Sequence, residues 1–103
     1  MNYSAISIRY SKALFALAKE KDILSTIHSD MALIVSVCDE EQYFNQFIEN
    51  PVLATSKKVD IFNAIFKHKT NDLTLNFLHL LTKKRREQYL KQIALDFIQL
   101  YKE

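Results

Sequence analysis

The sequence predicts an all-α protein folded as a compact six-helix bundle. Three observations predict it. Glycine is absent and proline occurs once in 103 residues, whereas sheet proteins draw on glycine for hairpin turns and bulges. Apolar residues recur at helical spacing along nearly the whole chain. The polar connections between periodic segments are short, which makes successive helices packed neighbours.

Helix one is expected from about Ser4 to Lys21. Its stretch "RYSKALFALAKEK", residues 9–21, carries two apolar stripes. Ile6, Tyr10, Ala13, Leu14 and Leu17 form one; Ile8 and Phe15 form another, with Ala18 on the border. A surface helix of a small domain needs one such stripe.

Asp22 is expected to cap helix two. There Ile23, Leu24, Ile27, Met31, Ile34, Val35 and Cys38 keep a 3.6 period to about residue 38. Helix three, "EEQYFNQFIE", opens on acids that suit a helix N-terminus, with Tyr43, Phe44, Phe47 and Ile48 as anchors. Pro51 disfavours helical geometry at Asn50 and ends it.

Thr55 or Ser56 is expected to cap helix four, whose buried face is Val59, Phe62, Ile65 and Phe66. After the polar "KHKTND", helix five runs from about Asp72 to Lys84. Leu73, Phe77 and Leu80 lie on one side of it with Asn76 beside them, and Leu75, Leu78 and Leu81 on the other. A helix apolar on both sides is central and fully covered, or covered partly by another molecule. Helix six spans roughly 86–102, with Leu90, Ile93, Ala94, Phe97, Ile98 and Tyr101 in phase.

The composition, 49% hydrophobic and 25% charged, is that of a folded globular domain. The net charge of +2 is too small to imply nucleic acid. No apolar run reaches the ~18 residues of a bilayer span. The first 19 residues hold no acid, three basic residues and three serines, a composition shared with organelle transit peptides; the same residues make a regular core helix, which is the reading taken.

No catalytic constellation is visible: no glycine-rich phosphate loop, no HExxH, no GxSxG, no CxxC. His28, His68 and His79 fall on separate elements, none in metal-ligand spacing, and read as solvated side chains. Neither a metal nor a cofactor is expected. Cys38 reads as a buried, inert thiol. Asp39, Glu40 and Glu41 read as acids drawn to the positive end of a helix dipole. "KKRR", residues 83–86, reads as cations at the negative end of one, followed by a short turn.

Three stretches taken together, "RYSKALFALAKEK", "FIENPVL" at 47–53 and "TLNFLHLLTKKRR" at 74–86, resemble the N-terminal domain of the ATP synthase delta subunit family, whose mitochondrial members are the oligomycin-sensitivity-conferring proteins. The resemblance runs over essentially the whole chain. It implies a six-helix, non-catalytic domain at the membrane-distal tip of the catalytic head. It also implies a groove between helices one and five that holds the amphipathic N-terminal segment of an alpha subunit. The family's C-terminal domain, which reaches the peripheral stalk b subunits, is expected to lie outside these 103 residues. The implied location is peripheral, on the cytoplasmic side of the bacterial inner membrane, with an organelle as the alternative. The lack of glycine at helix junctions and the basic "KKRR" depart from the family's usual pattern.

The resemblance meets the puzzle of the two surplus stripes, because helices one and five are the ones that carry them. Helical phase then assigns Ile6, Tyr10, Ala13 and Leu17 to the groove side of helix one, and Leu73, Asn76, Phe77 and Leu80 to that of helix five. The expected partners are the alpha-subunit segment and, through the absent domain, the b subunit; nucleic acid and membrane insertion are not expected, and the isolated domain is expected to be monomeric. The rivals are a basic helical nucleic-acid-binding domain, a small enzyme, and a self-associating domain that buries both stripes against its own copy.

Overall fold

The computed structural model describes residues 3–103, and among them there are six α-helices and no strand. They are α1 (Tyr3–Glu20), α2 (Leu24–Glu40), α3 (Gln42–Glu49), α4 (Thr55–Phe66), α5 (Asp72–Lys83) and α6 (Leu90–Lys102), with a 3-10 turn at Glu87–Tyr89. The all-α six-helix expectation holds. The 3-10 turn takes up the start expected for the last helix, so α6 begins four residues later than 86.

One core runs through the domain. α6 is its centre and packs against both α1 and α2, while α4 packs against α5. α2 faces inward with Ile27, Met31, Ile34 and Cys38, the register expected of it, and α6 with Leu90, Ile93, Ala94 and Phe97. Phe44 of α3 lies edge-on to Phe62 and Phe66 of α4, ring centroids 5.9 Å apart in both pairs.

Without glycine, two helices end on a non-glycine residue in the left-handed region. Asp22 has φ 59° and Arg85 has φ 57°. Around each, the two bonds of a Schellman ending form: Asp22 N–H to Lys19 and Ile23 N–H to Ala18 close α1, and Arg85 N–H to Thr82 and Arg86 N–H to Leu81 close α5. Asp22 therefore terminates α1 rather than capping α2, whose N-cap is Ile23 with no side-chain bond. The N-cap of α4 is Ala54, so neither Thr55 nor Ser56 caps it. "KKRR" is a helix stop, with Lys83 in the last turn, Lys84 at the C-cap and Arg85 in the turn.

Other expectations are corrected by burial. Ser7, Ser11, Leu14 and Ala18 are the face of α1 that points into the core; Ile8 is 42% exposed and Phe15 half-buried against Phe97, centroids 5.5 Å apart. Small side chains at Ser7, Ser11 and Ala18 let α1 lie close on α6, leaving the large apolar residues on its flanks. On α3 only Phe44 and Ile48 are buried, whereas Tyr43 and Phe47 are exposed and border an open cleft with Ile61 and Ile65 of α4. Val59 and Ile65 are half-buried, and Lys58 takes the inward register of α4 with Phe62 and Phe66.

The Lys58 ammonium donates to Glu87 Oε2 at 2.5 Å and to the Ile48 carbonyl at 3.2 Å, pinning the 3-10 turn to α3 and α4. Glu87 Oε1 is buried without a hydrogen-bond partner. Asp30, also buried, accepts from Asn71 N–H at 2.9 Å and Thr74 Oγ1 at 2.6 Å, tying α2 to the start of α5.

Two histidines are not simply solvated. His28 stacks on Tyr101 at 4.1 Å, and His79 Nε2 lies 2.8 Å from Asn63 Oδ1. Asp39 and Glu40 belong to the last turn of α2, where Asp39 pairs with Lys91 at 2.6 Å; only Glu41 stands at the start of α3.

Candidate functional site

On α1, Tyr10, Ala13, Leu14 and Leu17 follow the i, i+3, i+4, i+7 pattern of a single helical stripe. On α5, Leu73, Asn76, Phe77 and Leu80 repeat the same pattern. These eight residues line one open groove of about 260 Å³. The Tyr10 and Phe77 rings meet edge-on at 6.4 Å between centroids, a favourable geometry for aromatic pairs. Phe77 and Leu14 are buried, while Leu17 and Leu80 keep 39% and 41% of their surface exposed.

Seven of the eight residues expected at the groove, Tyr10, Ala13, Leu17, Leu73, Asn76, Phe77 and Leu80, are thus brought together. Ile6 is half-buried against the core and lies outside the lining. Leu14 takes its place, and its position four residues after Tyr10 and three before Leu17 is the signal that marks it. The other stripe of α5 turns inward, with Leu78 and Leu81 fully buried and Leu75 half-buried.

The lining is apolar apart from the Tyr10 hydroxyl and the Asn76 amide. Ala13 keeps the α1 wall low, so a helix backbone can approach it closely. Arg9 holds its guanidinium 6.0 Å from the Tyr10 ring, within the range of a cation–π contact. Such a surface can bury the apolar face of an amphipathic helix.

Other chemistry is sparse. Among the described residues no group of three or more His, Cys, Asp or Glu stands close enough to hold a metal ion. Burial pushes the Cys38 thiol up from 9.0 to about 11, with the Lys91 ammonium working against it, so thiolate is scarce at neutral pH. No described helix is long and apolar enough to cross a membrane.

Comparison with known proteins bears on the family of the chain. The chain is 35% identical over 103 residues to ATP synthase subunit delta of Cytophaga hutchinsonii, covering all of this chain and 57% of that protein. It is 33% identical over 97 residues to the chloroplastic ATP synthase subunit delta of Cyanidium caldarium, covering 94% of this chain and 53% of the other. A chain in the cryo-EM structure of the Toxoplasma gondii mitochondrial ATP synthase hexamer superposes with a TM-score of 0.82 at 27% identity, over 88% of this chain and 51% of that one. The chain thus spans about half the length of the relatives it matches. The sequence profile described as ATP synthase delta (OSCP) subunit matches residues 6–103, and with the fold and these relatives it follows that the chain belongs to the ATP synthase delta (OSCP) subunit family.

Proposed function

We propose that this domain is a non-catalytic connector of the proton-translocating ATP synthase, and that its α1/α5 groove holds the N-terminal helical segment of an alpha subunit. The observation that carries this reading is the pair of matching stripes, Tyr10 to Leu17 and Leu73 to Leu80, which leave a trough lined almost wholly by apolar side chains between two helices. In this reading the chain is the family's N-terminal domain. A further domain joins the peripheral stalk b subunit, so that the pair links the catalytic head to the stalk. The protein then works as a peripheral component on the cytoplasmic side of a bacterial inner membrane, or at the equivalent face in an organelle.

The free segment is disordered in this picture and folds as it docks, so apolar burial must exceed its ordering entropy. The domain itself is a monomer awaiting its partner. Titration of an alpha-subunit N-terminal peptide into the parent chain and into Ala13→Asp tests this. Ala13 is exposed on the groove wall, so the carboxylate meets the incoming helix and not the core. Binding should weaken at least tenfold, ~1.4 kcal/mol, with the melting temperature nearly unchanged. An Ala13→Asp domain that binds as well as the parent overturns the reading.

A further inference from the structure

Four of the five described asparagines have side chains engaged in hydrogen bonds. Asn45 donates to the Cys38 carbonyl, Asn50 accepts from Val52, Asn63 meets His79, and Asn71 accepts from Leu73. Among the described asparagines, Asn76 is the one whose side chain makes no intramolecular hydrogen bond, and it is exposed midway along the α5 wall of a groove otherwise apolar but for the Tyr10 hydroxyl. The α1 wall contributes Ala13, Leu14, Leu17 and Tyr10, and the Tyr10 hydroxyl is the one other polar side-chain group of the lining.

A lone asparagine in an apolar helix seam has a known physical consequence. It costs stability and selects the one register in which its amide is satisfied. A helix laid along the groove strips water from Asn76, and an amide left unpaired there is penalised. The backbone of the incoming helix can serve only half of the amide. A mid-helix carbonyl can accept a second hydrogen bond from the Asn76 NH2, as the Leu78 carbonyl does from Thr82 Oγ1, but the mid-helix N–H groups are already paired and none is left to donate to the Asn76 Oδ1. A charged side chain would itself have to be desolvated against the apolar lining.

Resting on the reading that a helix docks in this groove, we infer that Asn76 sets the register of that helix. The partner's apolar stripe is interrupted by one neutral hydrogen-bonding side chain, Ser, Thr, Asn or Gln, seated against the Asn76 amide. The groove therefore discriminates against a uniformly apolar amphipathic helix of equal length.

A mutant cycle tests this. The probes are an alpha-subunit N-terminal peptide from the same organism and copies in which each neutral polar residue of its apolar stripe is changed in turn to leucine. The proteins are the parent chain and Asn76→Leu, with thermal melting as the folding control. One leucine copy should bind the parent chain at least tenfold more weakly than the unmodified peptide. The same copy should bind Asn76→Leu more tightly than the unmodified peptide does. Independent, additive effects at every position overturn the inference, as does an unmodified peptide that binds Asn76→Leu as tightly as the parent. Failure of every peptide to bind the parent chain overturns instead the groove reading beneath it. Should Asn76→Leu fail to fold, the side-chain amide protons of Asn76 in the parent complex decide: a shift with slowed exchange supports the inference, and signals unchanged from the free domain overturn it.

Discussion

Leu80 and Leu81 are adjacent and chemically identical but lie about 100° apart around α5, one on the groove and one in the core, so truncating each to alanine separates binding from folding. Leu81 is 1% exposed and Leu80 is 41% exposed. Leu81→Ala removes packed atoms from the core and leaves a cavity, at a cost of ~2–5 kcal/mol. For a domain of this size that lowers the melting temperature by about 8 °C or more. Leu80→Ala should cost ~1–2 kcal/mol of stability, the share of the side chain that the free domain already covers, and it leaves no enclosed cavity. Binding reverses the order. Full burial of a leucine contributes ~1.5–3 kcal/mol, so the two-fifths of Leu80 that a docked helix would hide contributes about 1 kcal/mol, roughly fivefold in Kd. Leu17, 39% exposed on the facing wall, contributes a similar amount, and the double variant Leu17→Ala/Leu80→Ala should lose roughly thirtyfold. Differential scanning calorimetry and titration calorimetry with the alpha-subunit peptide read the two effects. Equal melting losses for Leu80→Ala and Leu81→Ala would refute the division of α5 into two faces. An unchanged Kd for the double variant would refute the groove as the docking surface.

Two further outcomes concern buried polar groups. Lys58→Ala or Glu87→Ala alone should destabilise the domain in urea by ~3–5 kcal/mol, because each leaves a buried charge unpaired; the double change Lys58→Met/Glu87→Leu should recover most of it, since Glu87 Oε1 already lacks a partner in the native fold. Cys38 has a folded pKa raised to about 11 from 9.0, so its contribution to stability is intact below pH 9 and is lost as pH rises towards 11. Urea melts across that window should show a steeper alkaline decline for the parent chain than for Cys38→Ala, and native labelling of the thiol at pH 8 should be slow.

Periodicity made the helices and both groove walls legible because the residues concerned are large and apolar. It does not mark the inner face of α1 for the same reason: Ser7, Ser11 and Ala18 hold the buried register but carry little hydrophobic weight beside Ile8 and Phe15. Lys58 shares its register with Phe62 and Phe66, which was the available sign of its burial; its partner Glu87, 29 residues away, has no local signature. The turns were equally opaque, because whether Asp22 caps the next helix or ends the previous one depends on a backbone angle that composition does not encode. Pro51 was a reliable stop because its effect on Asn50 is local and steric.

The tie from Asp30 to Asn71 and Thr74 changes what sort of object the groove is. Its α1 wall is seated chiefly on α6, and its α5 wall chiefly on α4. Across the groove the walls touch through the Tyr10 and Phe77 rings. Beneath it they are joined by a chain of attachments through the interior: α1 to α6, α6 to α2, and α2 through one carboxylate to the first turn of α5. A tug on anything gripped between the walls is passed along that chain before it can spread them. Asp30 is the slenderest link, two hydrogen bonds where the other links are broad apolar contacts. Stiffness of grip and stability of the core thus become separable quantities. Asp30→Asn, which keeps the shape and removes the charge, should raise the rate at which a bound segment escapes more than it lowers the melting temperature.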